Sequence, residues 1–178
     1  MKFKLLILFI AVFQFTGCQK NQKSETTNPK SDSKKISRNG YSITYDSGFR
    51  LDESGSNGTE FYLFSQKVKP GDDFVENINL IIQDLGTLKY DLNQFVTLSE
   101  NQIKTNGKLI ESARKKSSEK EYHLLIFEGK FNGLDLKFLQ YDFVKNDKAY
   151  ILTFSAKKNE FADNQKKMEL IMNTFELK

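Results

Sequence analysis

Side chains with strong intrinsic reactivity are scarce in this chain of 178 residues. It has a single cysteine, Cys18, and a single histidine, His123. One thiol cannot form an intramolecular disulfide, and a metal site at Cys18 would need partner ligands, whereas the histidine is far away in sequence. The sequence contains no G-x-S-x-G nucleophile motif, no phosphate-binding loop or dinucleotide fingerprint, and no zinc-ligand spacing. A disulfide and a metal site therefore do not account for Cys18, and the polar segment beside it disfavours a buried core thiol.

The residues before Cys18 have the organisation of an export signal. Two lysines give a positively charged start, and an apolar run from Leu5 to Phe15 follows, interrupted only by Gln14. Eleven residues form about 16 Å of helix, which is too short for a bilayer core about 30 Å thick. The charge and the length are those of a secretory signal peptide.

The residues Phe15-Thr16-Gly17-Cys18 resemble the lipobox of bacterial lipoproteins, which is commonly Leu-(Ala/Ser)-(Gly/Ala)-Cys. The resemblance implies that residues 1–17 are a signal peptide. It also implies that Cys18 becomes the first residue of the mature chain and carries lipid on its sulfur. Anchoring by a diacyl or triacyl cysteine needs no transmembrane helix. An ordinary secretory signal with an incidental cysteine is the alternative.

Residues 18–38 are predicted to be a lipidated cysteine followed by a flexible polar tether. Ile36 is the one apolar residue in the twenty after Cys18, and such a segment cannot bury enough surface to offset its ordering entropy. The tether carries a net charge of +4, whereas residues 39–178 carry −2. Because nucleic-acid binding needs a basic face on the folded domain, we expect no nucleic-acid partner.

Residues 39–178 are predicted to form one α+β domain, with about seven mainly antiparallel strands flanked by helices. Asp91 is a plausible N-cap of an inserted helix that Gly107 ends. Asn159 is the candidate N-cap of a terminal helix whose apolar stripe reaches Phe175. Strands are predicted in the segments GYSITYD, EFYLFSQ, FVENINLIIQDL, KLIESARKK, EYHLLIFEGKF, LDLKFLQYDFV and AYILTFSAK, and the last three should form an antiparallel meander.

The chain from about Gly40 to Phe175 resembles the PsbP-like domains. This superfamily includes the PsbP subunit of the photosynthetic oxygen-evolving complex, the Mog proteins, and envelope lipoproteins such as DcrB and LpqN. Phe49 stands near the place of the family's usual early Trp. The resemblance implies an antiparallel sheet flanked by helices, and its motifs are structural ones, namely GYSITYDSGF, NINLIIQDL, NQFVTLSENQI, KNDKAYILTFSA and MELIMNTF.

Two groups of candidate site residues have structural interpretations. His123 lies on a predicted strand, and a catalytic pair would need a hydrogen-bonded partner, so we interpret it as a structural histidine. Asp72, Asp73 and Glu76 follow a Pro-Gly turn, where oxygen-rich loops can hold Ca²⁺. The spacing of an EF-hand is missing, and we interpret these carboxylates as part of a solvated turn.

A short basic run, Arg114-Lys115-Lys116 beside Lys108, is either a solvated face or a patch that docks a partner. The whole sequence favours a membrane-anchored envelope lipoprotein, whose domain is a non-catalytic module that binds a protein or a ligand. The alternative is a small-molecule carrier or an enzyme with a site formed only in three dimensions. We expect no cofactor or metal. The expected partners are the membrane, through lipid on Cys18, and another envelope protein.

The expected location is the periplasmic side of the cell envelope. In bacteria with two membranes, an aspartate directly after the lipidated cysteine retains a lipoprotein at the inner membrane. Gln19 and Lys20 stand there instead, which favours the outer membrane over the inner one.

Overall fold

The computed structural model describes residues 32–66, 72–117 and 120–178. The predicted signal peptide, Cys18, residues 19–31 of the predicted tether and the Pro70-Gly71 turn lie outside the described residues. Among the described residues, no helix is long and apolar enough to cross a bilayer. The strands are β1 (Ser33–Arg38), β2 (Tyr41–Asp46), β3 (Arg50–Asp52), β4 (Thr59–Phe64), β5 (Asn77–Asp84), β6 (Gly107–Lys116), β7 (Glu121–Phe131), β8 (Leu134–Lys145), β9 (Lys148–Lys157) and β10 (Glu176–Leu177), and the helices are α1 (Leu92–Asn106) and α2 (Phe161–Met172).

Seven strands form one antiparallel sheet in the order β3-β4-β5-β9-β8-β7-β6. The predicted meander is confirmed as β7, β8 and β9. Its hairpins turn at Asn132-Gly133 and Asn146-Asp147, and all four residues have positive φ. Two-residue turns with positive φ match the right-handed twist of the paired strands, and Asn, Asp and Gly accept this conformation with the least strain.

A second, three-stranded sheet has the order β1-β2-β10. The GYSITYD segment, predicted as a strand of the main sheet, forms β2 of this smaller sheet. The predicted tether is wrong at its end, because Ser33–Arg38 is a strand paired with β2. Ile36 lies opposite Ile43 and is buried. Pairing with β2 and one inward apolar side chain therefore stabilise this otherwise polar segment.

The large sheet carries a hydrophobic core on each face. One face packs against α2 and the small sheet, and its buried residues include Leu80, Leu152 and Phe154. The other face packs against α1, which contributes Phe95. This two-sided burial makes an α+β fold of helices on an antiparallel sheet, as predicted.

Helix α1 begins and ends where the sequence predicts. The carboxylate of Asp91 accepts a hydrogen bond from the backbone of Gln94 at 2.8 Å, and the Gln94 side chain accepts one from the Asp91 backbone at 3.0 Å. This reciprocal capping box satisfies two of the free amides at the helix start. Gly107 follows the last helical residue and begins β6.

Helix α2 differs from its prediction at both ends. Its N-cap is Glu160, which makes no side-chain cap bond, so the assignment of Asn159 is wrong. The backbone amide of Glu160 bonds to Lys157 across a tight turn, which places Asn159 inside the turn. The helix ends at Met172, and Phe175 is buried just beyond it.

Candidate functional site

His123 lies where α1 crosses β6 and β7. Its Nε2 atom is 2.7 Å from Oγ of Ser112, which is also 2.5 Å from Oε1 of Glu100 on α1. Lys104, one turn further along α1, bonds to the same carboxylate at 2.9 Å. A continuous chain of carboxylate, hydroxyl and imidazole therefore joins the helix to two strands.

The order of groups in this chain differs from that of a nucleophilic triad. There the base contacts the nucleophile, and a third group orients the base. Here the carboxylate contacts Ser112 and not His123. The single hydroxyl proton is directed to Glu100, so Ser112 accepts a hydrogen bond from His123. The short contact holds this proton away from the imidazole, and the chain links elements instead of activating a nucleophile.

The electrostatic surroundings keep the imidazole neutral. Burial lowers the pKa of His123, Arg114 beside it lowers that pKa further, and Glu100 opposes the shift. Arg114 lies directly opposite His123 in the strand register and contacts the side chain of Asn93 on α1. The hydrogen bonds from Ser112 and Lys104 lower the pKa of Glu100. At neutral pH the chain thus pairs a carboxylate with an uncharged ring.

The structure divides the predicted carboxylate cluster between two places. Asp72 and Asp73 both contact the ammonium of Lys157, with 2.5 Å between Asp72 Oδ1 and Lys157 Nζ. The side chain of Asp72 is only 5% exposed, so its assignment to a solvated turn is wrong, whereas Asp73 is 60% exposed. The hydrogen bond to Asp72, followed by the bond to Asp73, raises the pKa of Lys157. In turn, the bond from Lys157 lowers the pKa of Asp73.

Glu76 is buried beside α2, on the face of the sheet opposite Lys157. It accepts a hydrogen bond from Ser65 at 2.9 Å and contacts Glu160 at the start of α2. Burial, together with the hydrogen bond to Glu160, raises the pKa of Glu76. In the described ranges, no group of three acidic, histidine or cysteine side chains is placed to hold a metal ion.

A cleft of about 580 Å³ adjoins Lys157, but its charged walls are already neutralised. Asp135 on one side pairs with Lys130, and Lys158 on the other pairs with Glu128 at 2.7 Å. No convergent set of free polar groups faces this space among the residues described.

Sequence reasoning missed a buried polar group, which we define as Gln140, Asp142, Thr153 and Ser155. It lies on the α1 face of β8 and β9, where Gln140 is directly opposite Thr153. Gln140 donates to Asp142 at 2.8 Å, and Ser99 of α1 also bonds to Asp142. Burial raises the pKa of the Asp142 carboxyl to about 7, against these two bonds, which lower it.

Each member of the buried polar group has one oxygen that lacks a hydrogen-bond partner within the structure described. Buried polar atoms in native proteins nearly always have a partner, so four such atoms on two neighbouring strands are unusual. The signal in the sequence is the alternation of polar and apolar residues in LQYDF. Alternation alone also fits a strand whose polar face is exposed to solvent. Only the packing of α1 on this face shows that the polar residues are buried.

The basic run lies on β6, which is an edge strand of the large sheet. Arg114 and Lys116 pair with Glu121 on the neighbouring strand at 3.8 and 3.6 Å. Lys108 and Lys115 are exposed and make no ion pair within the described residues. The run is therefore only partly neutralised by the protein itself.

Comparison with solved structures places this architecture among known folds. The solution structure of cyanobacterial PsbP (CyanoP) from Synechocystis is similar over 88% of this chain and 98% of its own, with a TM-score of 0.63 and 14% identity. The chain has the PsbP-like fold. No protein-family model matches it, and no curated protein sequence does.

Two other solved structures are similar to this chain to a comparable extent. LpqN, described as involved in cell envelope biogenesis of Mycobacterium tuberculosis, matches 84% of this chain and 92% of its own, with a TM-score of 0.55 and 11% identity. A Pseudomonas aeruginosa protein of unknown function, PA94, a putative regulator by its description, matches 75% of this chain and 88% of its own, with the same score and identity. At these identities the likeness establishes the fold alone.

Proposed function

We propose that this protein is a lipid-anchored component of a bacterial cell envelope, whose PsbP-like domain is a non-catalytic module that binds another envelope protein. One observation carries the proposal. A short charged and apolar segment ends in Phe-Thr-Gly-Cys, and this motif stands in the same chain as a PsbP-like domain whose strand β1 begins at Ser33. The envelope role given for LpqN, which shares the fold, supports the same location.

The contacts of the reactive side chains support a binding role over a catalytic one. His123 is hydrogen-bonded to Ser112, whose hydroxyl donates to Glu100. The ammonium of Lys157 pairs with two carboxylates. The polar atoms of these side chains are therefore already bonded to other groups of the protein. Partners of the proposed module are the membrane, through lipid on Cys18, and a protein. A nucleic acid is disfavoured by the net charge of −2 on residues 39–178.

A second candidate function is a small-molecule carrier, and the buried polar group favours it. Four unpaired oxygens, with a carboxyl of raised pKa, would suit a small ligand rich in hydrogen-bond donors. Against it, every member of the group is at least 96% buried. Native mass spectrometry of protein released gently from envelopes distinguishes the two functions, since a carrier retains a ligand adduct of defined mass and a protein-binding module does not.

The anchor is tested by mass spectrometry of the mature protein. We expect an N-terminus at Cys18 with acyl chains attached, and a fraction that sediments with outer rather than inner membranes. Cys18→Ala should abolish acylation and leave the precursor uncleaved. A mature wild-type chain with an unmodified Cys18 contradicts the anchor.

The binding role is tested by affinity capture from the same membranes after mild crosslinking. A reproducible protein partner, retained by wild type and lost when the domain is thermally unfolded before mixing, supports the module. Turnover of a chromogenic ester or peptide substrate that disappears in Ser112→Ala would contradict its non-catalytic character.

A further inference from the structure

We propose that β6 is a docking edge, to which an extended acidic segment of an envelope protein adds as a further strand of the large sheet. The inference rests on the proposed binding function and names the surface and the partner chemistry. In strand addition, main-chain hydrogen bonds supply affinity, and alternating side chains supply specificity.

The backbone of β6 is available for such pairing. The strand has ten residues, and among the described strands it pairs only with β7. The opposite edge of the same sheet, β3, has only three residues. Apart from the pairing with β7, the described backbone bonds leave the outer side of Lys108–Lys116 without a partner. Natural edge strands are usually short, covered, bulged or charged, and β6 belongs to the bulged and charged kind while its backbone stays open over ten residues.

The geometry of β6 leaves a regular stretch beyond a single irregularity. The register shifts between Leu109 and Glu111, and Ile110 at this bulge is 45% exposed. From Glu111 to Lys116 the pairing with β7 continues without interruption. Six residues equal the length of a typical strand. An added strand can therefore follow this part of the edge over its full length.

The positive charge of β6 favours a negatively charged partner segment. The strand carries four basic residues and one acidic residue in an otherwise net acidic domain. Lys115 lies opposite Tyr122, on the other face of the sheet from Arg114 and Lys116, so both faces of the edge present positive charge. An incoming segment with acidic residues at alternating positions would meet a cation on each face, and opposite charges across neighbouring strands are stabilising.

The same charge argues against a second copy of this chain as the occupant. Pairing of β6 with another β6 would set a net charge of +3 against +3. Lysines and bulges on edge strands are devices that prevent self-association. Here they exclude copies of the protein while they leave the edge open to an acidic segment, which is specificity through repulsion of the wrong partner.

The experiment uses the full lipidated chain in its native envelope, with a photoreactive amino acid at Glu111 on β6. A second chain carries it at Leu170, which is 64% exposed on α2. We expect crosslinking from position 111, and tandem mass spectrometry should locate the attachment in an acidic segment of another protein. In this background, Lys115→Glu should lower the crosslinking yield by about tenfold, because like charges face each other across the interface. The matched variant Lys166→Glu, at an exposed position on α2, should leave the yield unchanged.

A second measurement tests strand addition itself. A synthetic peptide with the sequence of the crosslinked segment, added in excess, should slow amide hydrogen exchange across Glu111–Lys116 and leave α2 unchanged. No slowing means that contact is made by side chains alone and overturns the proposal. Equal yields in Lys115→Glu and Lys166→Glu, a crosslink to a second copy, or a non-acidic attachment site also overturn it.

The outcomes separate this proposal from the binding function on which it rests. Crosslinking from position 170 but not from position 111 overturns the β6 edge and leaves the binding function intact. Absence of crosslinks at both positions overturns the β6 edge as well, and if affinity capture then yields no partner, the binding function fails with it.

Discussion

At the scale of single residues, we expect Asp142 to make the stability of the fold depend on pH. Burial raises its pKa from 3.8 to about 7, so the folded state binds the proton more tightly than the unfolded state. Its contribution to stability is complete below about pH 3.8 and is lost as pH rises through about 7. A shift of this size lowers the free energy of unfolding by about 4 kcal/mol at pH values above 7, compared with acidic pH.

Asp142→Asn removes this ionisation and keeps an oxygen that accepts from Gln140. We expect the variant to unfold at a higher temperature than wild type at pH 8, and the difference to shrink at pH 5. Asp147→Asn is the control, because this residue lies exposed in a turn that suits Asn equally. The same difference at both pH values would contradict the assignment of the buried proton to Asp142.

Predictability from sequence differs among residues according to how local their determinants are. The cap at Asp91 is predictable, because the structure shows that its partner Gln94 is only three residues away. Asn159 was not correctly assigned, since a turn bond between Lys157 and Glu160 moves the helix start by one residue. The burial of Asp142 depends on α1, which is more than thirty residues distant in sequence, so no local pattern could show it.

At the scale of elements, the C-terminal segment joins the two sheets. The ring of Phe175 stacks on Tyr41 of the small sheet at 5.8 Å and contacts Phe143 and Tyr150 of the large sheet at 5.1 and 6.5 Å. Phe175→Ala should lower stability by about 3–5 kcal/mol, measured by urea unfolding. Lys166→Ala, exposed on α2, should change the midpoint little. Similar small effects of both changes would show that the segment is not packed.

Strand β1 carries a prediction that separates an ordered strand from a tether. Ile36 is 4% exposed and lies opposite Ile43. Ile36→Ala should therefore cost about 2–5 kcal/mol of stability, whereas Lys35→Ala on the same strand should cost little. If both variants had the same unfolding midpoint, residues 33–38 would be part of the flexible tether and not an ordered strand. The sequence could not show this strand, because its order comes from β2 and one apolar contact.

At the scale of the whole molecule, the charges are separated along the chain and across the fold. The segment before β2 is basic, residues 39–178 are net negative, and within them β6 is a positive strip. The basic N-terminal part suits an anionic membrane surface, and the strip suits an acidic partner. Although the sequence pI is about 9.0, the net charge of residues 39–178 is therefore negative.

Folding of the domain should be independent of metal, because a lysine takes the place that a cation would occupy. The ammonium of Lys157 pairs with Asp72 and Asp73, and Asp72 is 5% exposed. A chain that begins at Asp32 retains every described strand and helix, and we expect it to unfold cooperatively at a temperature that a chelator does not change.

Lys157→Gln leaves the buried carboxylate of Asp72 without its cation, which should cost about 3–5 kcal/mol. Lys158→Gln, whose partner Glu128 lies near the surface, should cost much less. If the chelator shifts the wild-type midpoint, or if the two lysine variants are equally stable, the ion pair with Lys157 does not hold this end of the sheet, and the carboxylates must be re-examined as a cation site.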